Sequence, residues 1–326
     1  MPFRIRVTLI VLASLFAALL LLPLVWPVPP LRGTVPARQL AAVDAAWIEV
    51  GATELHARIT GRAADGEVGV AFVHGFGSTL ESFAALQAPL ADGHRTVAWD
   101  RPGFGLTERV LDWSGANPYG LDAQVEQAIV ALDAAGIERA VLVGHSAGGA
   151  IALQLALAHS DRVAGLVLIA PAVYRGGGTP AWSRWLLWTP QMERIGPLLM
   201  RQLGGEPGEN LLRSAYADPD RLRPEVLEAY RHGTRVDDWD RGLWELVKAS
   251  REPGVAGRLA EVRVPVLVVF GAEDRIVPPE QTRRVADELP NAELLELPSC
   301  GHVPQEECPE PLLRRIDAWW SERIAP

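Results

Sequence analysis

The sequence predicts an α/β fold with a mostly parallel central sheet and helices on both faces. Short apolar runs rich in Val, Ile and Leu, such as residues 68–73, 163–169 and 264–270, alternate with segments of helical pattern. Within these runs apolar and polar residues do not alternate, which is typical of parallel strands covered on both faces. The 326 residues suffice for one large core and a smaller subdomain.

The alternation of strands and helices begins near residue 47. Residues 47–50 and 53–60 predict a hairpin that turns near Gly51, and 121–135 carries apolar residues at helical spacing. The series then gives strands at 68–73, 95–99, 140–143, 163–169, 264–270 and 292–297, and helical segments at 82–90, 121–135, 147–158, 279–289 and 311–320.

The alternation stops between residues 173 and 254, where helical patterns and tryptophans occur without a convincing strand. We interpret these residues as a helical cap inserted into the core. The core then comprises residues 31–172 and 255–326. Three consecutive glycines, Gly176 to Gly178, predict either a flexible hinge or a plain surface loop.

The first 30 residues predict a membrane anchor or signal segment with a proline-rich spacer. Residues 7–26 are apolar and uncharged, and a helix of about 20 such residues matches a bilayer core. An uncleaved transmembrane helix is favoured, and a cleaved signal peptide with secretion is the alternative. Arg4 and Arg6 favour a cytoplasmic N-terminus, which places the globular part on the extracytoplasmic side. Prolines up to Pro36 suggest a semi-stiff spacer that lifts the domain off the membrane.

The charge of the chain bears on the kind of partner it can bind. The net charge of −9, without a basic stripe, argues against nucleic acid as a partner.

The two cysteines, Cys300 and Cys308, flank His302. In an exported domain a disulfide between them would brace the loop that carries His302, and two unpaired thiols are the alternative. Two cysteines and one histidine do not make a zinc site.

The strongest motif is Gly144-His145-Ser146-Ala147-Gly148, which lies directly between a predicted strand and a predicted helix. Glycines two positions on either side of Ser146 permit a tight strained turn that exposes the hydroxyl. The N-terminus of the following helix directs free N–H groups towards the same point. In this context the motif predicts a nucleophilic serine.

A nucleophilic serine needs a base, and His302 is the candidate because it follows the last predicted strand. Asp274 follows another core strand and is expected to orient the imidazole, with Glu273 as its nearest rival. The oxyanion donors are expected to be the backbone N–H groups of Ala147 and of Phe76, which lies in the loop after the first core strand.

Five motifs occur in a characteristic order: His74-Gly75-Phe76-Gly77, Asp100-Arg101-Pro102-Gly103-Phe104-Gly105, Gly144-His145-Ser146-Ala147-Gly148, Gly271-Ala272-Glu273-Asp274 and Gly301-His302. Over about residues 47–322 the chain resembles the α/β-hydrolase superfamily, in the branch with esterases, C–C bond hydrolases, epoxide hydrolases and haloalkane dehalogenases. The last two use an aspartate nucleophile, whereas this chain has Ser146.

The resemblance implies two-step acyl transfer without a metal or organic cofactor. The expected substrate is a small carboxylic ester, with a lipophilic one favoured by nearness to a bilayer. C–C or other acyl hydrolysis on the same triad is the alternative, and a non-catalytic binding protein is the alternative of another class. Candidate substrate-contacting residues are His74, Gly75, Trp182, Trp185 and Trp188. The tryptophans form either an apolar acyl pocket or a membrane-facing lid, or they only pack the cap onto the core.

Overall fold

The computed structural model describes residues 3–62, 66–174, 180–252 and 254–325. Its centre is an eight-stranded sheet in the order β1-β2-β4-β3-β5-β6-β7-β8. The first two pairings, β1 with β2 and β2 with β4, are antiparallel, and the others are parallel. The strands are β1 Ala46–Val50, β2 Thr53–Thr60, β3 Gly69–Val73, β4 Thr96–Trp99, β5 Ala140–His145, β6 Val163–Ile169, β7 Val266–Gly271 and β8 Ala292–Leu297.

Eleven α-helices lie within the described residues. They are α1 Phe3–Val25, α2 Ala84–Leu90, α3 Leu121–Ala134, α4 Ala147–Ala158, α5 Pro190–Met200, α6 Glu206–Ser214, α7 Pro224–His232, α8 Trp239–Ala249, α9 Pro279–Glu288, α10 Pro304–Glu307 and α11 Pro309–Arg323. Short 3₁₀ helices occur at Ala37–Gln39, Leu80–Phe83, Ser160–Arg162, Ala181–Trp188, Arg201–Gly204, Pro219–Arg221, Gly233–Arg235 and Ala256–Glu261.

The central strands are buried on both faces because helices cover the sheet on each side. Along β3, Ala71 and Val73 belong to one apolar cluster, which includes residues of α3 and α4. Val70 and Phe72 belong to a second cluster, which includes residues of α2 and α11. The predicted α/β architecture, with a mostly parallel sheet between two helical layers, is therefore confirmed.

A helical insert joins β6 to β7. Its described residues, 180–252, form the 3₁₀ helix Ala181–Trp188 and the helices α5 to α8, and they contain no strand. The glycine triplet Gly176 to Gly178 lies outside the described residues. The insert contacts the core loops that follow the carboxyl ends of the strands, as when Ala215 O accepts the backbone N–H of His302.

The N-terminal helix α1 has 23 residues, a mean hydropathy of 2.7 and no buried residue. It is long and apolar enough to span a membrane, although a signal sequence has the same properties. The stretch that follows lies against the insert: Pro29 O accepts from Arg201 Nη1 at 2.6 Å, and Val35 pairs with Val236 in a parallel bridge. The proline-rich stretch is therefore hydrogen-bonded to the insert, and its role as a spacer between the domain and a membrane stays a prediction.

Candidate active site

Ser146 lies at the sharp turn between β5 and α4, with φ of 50° and ψ of −117°. We call this turn, residues 144–148, the elbow. A residue other than glycine rarely adopts a positive φ, so the backbone of this turn is strained. Close packing maintains it. A Cβ on Gly148 would approach Val73 O to 2.0 Å, and one on Gly144 would approach Gly148 O to 2.8 Å. Both glycines of the motif are thus needed for contact between backbone segments.

His302 and Asp274 form a buried pair at the carboxyl end of the sheet. The His302 Nδ1 atom lies 2.8 Å from Asp274 Oδ2. The other carboxylate oxygen, Oδ1, accepts the backbone N–H groups of Ile276 at 2.8 Å and Val277 at 2.9 Å. These bonds fix the carboxylate, so that it accepts from the imidazole and leaves Nε2 as the free ring nitrogen. Glu273, the rival acid, is exposed to solvent.

One cavity of about 330 Å³ brings the predicted residues together. Ser146, His302 and Phe76 all line it. Among the described residues, no hydrogen bond joins the Ser146 hydroxyl to the His302 imidazole, and such contacts are often long before substrate binds. The wall is mostly apolar and includes Phe76, Phe104, Leu212, Trp239, Leu243 and Val303.

Comparison with known proteins identifies the family of this chain. The family model for the alpha/beta hydrolase fold matches residues 70–309. The chain belongs to the α/β-hydrolase family. A 2-hydroxy-6-oxononadienedioate/2-hydroxy-6-oxononatrienedioate hydrolase from Paraburkholderia phymatum is 30% identical over 264 residues, which cover 79% of this chain and 88% of the relative.

Solved structures give the same result for the fold. A thermophilic esterase from Thermogutta terrifontis has a TM-score of 0.68 and 25% identity to this hydrolase, and the match covers 86% of this chain and 99% of the esterase. An enol-lactonase from Burkholderia xenovorans LB400 has a TM-score of 0.66 and 21% identity, with 85% and 100% coverage. Neighbours named for different activities therefore share one scaffold.

The loop that carries His302 is held from several sides. A disulfide joins Cys300 to Cys308 across it. Glu307 accepts the backbone N–H of Gly301 at 2.7 Å, as well as those of Ala217 and Asp218 in the insert. The proposed bracing by the cysteines is therefore present in the structure, and the insert reinforces it.

His145 is a site residue that sequence reasoning missed. Its Nε2–H donates to His302 O at 2.9 Å, and its Nδ1 is buried without a partner among the described residues. Burial, and next the nearby His302, hold the pKa of His145 well below its usual range, so the ring is neutral. The elbow is thus linked directly to the loop of His302. Only adjacency to Ser146 could have indicated this contact.

A buried carboxyl, Glu306, is a second feature that the sequence analysis did not identify. Tyr216 and Tyr230 of the insert donate their hydroxyls to it at 2.6 and 2.7 Å, and Ser82 of the core also donates to it. Burial raises the pKa of Glu306 above its ordinary value. This cluster joins the insert, the core and the His302 loop.

The predicted oxyanion donors belong to two different parts of the core. Phe76 is in the loop after β3, and Ala147 begins α4. Neither backbone N–H donates to an acceptor among the described residues. Gly75 brings the loop against the elbow, because a Cβ there would lie 3.0 Å from the Cβ of Ser146. Both N–H groups therefore remain available to a ligand.

The other residues predicted to contact substrate do not line the cavity. His74 is fully buried beneath its loop, where Nε2 accepts the Arg101 N–H and Nδ1 donates to Gly75 O. Trp182, Trp185 and Trp188 are exposed and do not line the cavity, because their 3₁₀ helix lies on the outer surface of the insert. The tryptophans therefore neither form the acyl pocket nor pack the insert onto the core.

Proposed function

We propose that this protein is a serine hydrolase that cleaves carboxylic esters through an acyl-enzyme on Ser146. The observation that carries the proposal is the shared cavity, which is lined both by the strained Ser146 and by His302, the partner of Asp274 in a hydrogen bond. A binding protein has no need of a strained serine together with an oriented base.

The proposed reaction has two steps. Ser146 Oγ attacks the ester carbonyl carbon while His302 Nε2 takes the hydroxyl proton, and the N–H groups of Phe76 and Ala147 bind the oxyanion. The tetrahedral intermediate expels the alcohol, which receives the proton from His302. Water then attacks the acyl-enzyme with His302 as base, and it releases the acid and free Ser146.

The mostly apolar wall of the cavity favours a lipophilic ester, and its charged side chains decide how well it would hold a carboxylate. Two arginines line it among the described residues. Arg109 donates to the backbone oxygens of Phe104 and Gly105 at 3.0 and 2.8 Å, and Arg231 pairs with Glu209. Burial lowers the pKa of Arg109 to about 10, so it remains a cation at neutral pH. A substrate carboxylate would have to displace Glu209 to pair with Arg231. Arg109 has only neutral carbonyl partners, and its buried Nε has none among the described residues, so it is the one of these two cations that could pair with a substrate carboxylate.

C–C bond hydrolysis is the second candidate, and its support is the 30% identical hydrolase of a dioate substrate. The same serine and histidine would attack a ketone carbonyl, with a carbon leaving group that needs protonation. A panel that sets p-nitrophenyl esters of graded acyl length against vinylogous diketones distinguishes the two. Turnover confined to the diketones would overturn the ester proposal.

The same proposal assigns roles to the other regions. Residues 173–254 act as the cap of the cavity, and α1 anchors the chain with the catalytic domain on the extracytoplasmic side. The disulfide supports this side, since such bonds persist in oxidising compartments. Intact mass of the membrane-bound protein tests the anchor: loss of residues from the N-terminus would indicate a cleaved signal and a secreted enzyme.

Covalent labelling tests the nucleophile. We expect a fluorophosphonate probe to label the full chain and Ser160→Ala, whose serine is exposed and remote from the cavity, but not Ser146→Ala. Folded wild-type protein that remains unlabelled and cleaves no ester would support the non-catalytic binding alternative.

A further inference from the structure

The end of α1 is attached to the insert by side chains of α5. Arg194 donates through Nε to Pro23 O at 3.0 Å and through Nη2 to Trp26 O at 2.9 Å. Gln191 Nε2 donates to Leu20 O at 3.0 Å. The last carbonyls of a helix have no partner within it, so Arg194 satisfies groups that the apolar α1 cannot satisfy itself.

The chain beyond α1 is also fixed to the protein. Leu31 packs against the apolar cluster of Phe104, Trp239 and Leu243, the residues that also line the cavity. Val35 N donates to Arg235 O at 2.9 Å. The contacts of Leu31 and Val35 restrict rotation of the domain about the chain that follows α1. A membrane helix attached in this way presents one defined face of the domain to the bilayer.

The 3₁₀ helix directly before α5 exposes three large aromatic rings. Trp182 is 80% exposed, Trp185 65% and Trp188 49%, and we call these three residues the tryptophan face. Trp26, at the end of α1, is likewise exposed. Exposed tryptophans are costly in water but are enriched where hydrocarbon meets lipid headgroups, because the ring is apolar and the indole N–H is polar.

The same stretch of chain leads from the tryptophan face to the cavity. After α5 it continues into Arg201–Gly204, and Leu203 and Gly204 line the cavity wall. Leu199, near the end of α5, is exposed. One continuous segment therefore contacts α1, exposes aromatic rings and forms part of the proposed acyl site.

We infer that the tryptophan face lies on the surface of the bilayer that holds α1, and that the cavity takes its lipophilic ester from that bilayer. This inference rests on the proposed ester hydrolysis and names the source of the substrate. Its basis is the attachment of α1 to α5, next to rings that have no packing role in the cavity.

The test uses the full chain in phosphatidylcholine vesicles and the triple variant Trp182→Ser, Trp185→Ser, Trp188→Ser. The chain has 11 tryptophans, so the difference between wild type and variant isolates the three rings. We expect lipids brominated near the headgroup to quench that difference fluorescence. We also expect kcat/KM for p-nitrophenyl palmitate dissolved in the vesicles to fall about tenfold. For water-soluble p-nitrophenyl acetate it should stay within about twofold.

The control variant is Leu294→Ser, which removes an exposed apolar side chain from β8, outside the insert. It should leave both esters and the quenching unchanged. Quenching that does not differ between wild type and the triple variant would overturn the membrane contact, as would equal loss of both activities. If wild type cleaves neither ester, the proposed function fails, while the quenching still decides the contact. Cleavage of acetate alone by wild type would overturn loading from the bilayer.

Discussion

The elbow around Ser146 and the helical insert are stabilised by different kinds of contact. The elbow depends on backbone packing, in which Gly148 leaves no room for a Cβ beside Val73 O. The insert also has such a backbone contact, of Gly208 with Leu203 O, but it depends more on side chains. Examples are the ion pair of Arg201 with the buried Asp240 at 2.7 Å and the tyrosines bonded to Glu306. The position of the proposed nucleophile is therefore set mainly by the main chain, whereas the shape of the cavity depends more on side chains that could be substituted.

Asp274→Asn should give the largest effect on kcat, because Asp274 orients His302, the proposed base for Ser146. The amide oxygen would take the two backbone N–H bonds and leave the amide NH₂ facing His302 Nδ1. That contact favours the tautomer with a proton on Nε2, which cannot accept the Ser146 proton. We expect kcat to fall by about 10³ to 10⁴ on the best p-nitrophenyl ester. Glu273→Gln, the exposed neighbour, should remain near wild type; equal losses would contradict the assignment.

Gly148→Ala tests the backbone packing directly. The new methyl group would clash with Val73 O, which belongs to a buried strand and cannot move away. We expect the free energy of unfolding to fall by about 3 kcal/mol or more, measured by urea denaturation in mild detergent. Gly257→Ala is the matched control, since a Cβ there meets nothing within 4 Å. A Gly148→Ala protein as stable as wild type would show that the elbow accommodates a Cβ beside Val73 O.

His74 provides a pH test of the core. Burial, and then the charge of Arg101, lower the pKa of His74 from 6.5 to about 3, so the folded protein keeps it neutral while the unfolded chain protonates it below pH 6.5. Stability is therefore lost as the pH falls from 6.5 towards 3, by up to about 1.4 kcal/mol per pH unit for this residue. In His74→Gln the difference in unfolding free energy between pH 6.5 and 4.5 should shrink by up to about 3 kcal/mol. An unchanged difference would show that His74 is solvated.

Tyr216→Phe should give the smallest effect and marks the tolerance of the insert. It removes one hydroxyl that donates to the buried Glu306 at 2.6 Å. We expect a loss of about 1.5 kcal/mol in unfolding free energy and a change in KM larger than that in kcat. In a Glu306→Gln background the same substitution should cost less, which a double-mutant cycle measures. Additive costs would indicate that the hydroxyl and the carboxyl act independently.

The fold and the placement of Ser146, Asp274 and His302 were predictable because each depends on local patterns. Continuous apolar runs mark buried parallel strands, and a glycine-flanked serine after a strand has few structural solutions. The contact of His145 with His302 O was not predictable, since it joins residues 157 positions apart in the sequence. The outward position of Trp182 was missed for a related reason: helical spacing shows that rings share a face, not whether that face meets protein or solvent.

The disulfide between Cys300 and Cys308 has a practical consequence for making this protein. It closes a segment of nine residues that contains His302, Glu306 and Glu307, so the segment is complete only after two thiols have been oxidised. In a reducing cytosol the chain can build its sheet, because no strand contains a cysteine. Protein produced there would show the circular dichroism of the folded state. The fraction of molecules with a complete active site would depend on later oxidation by air. The yield of active protein is therefore best judged by active-site titration and not by mass.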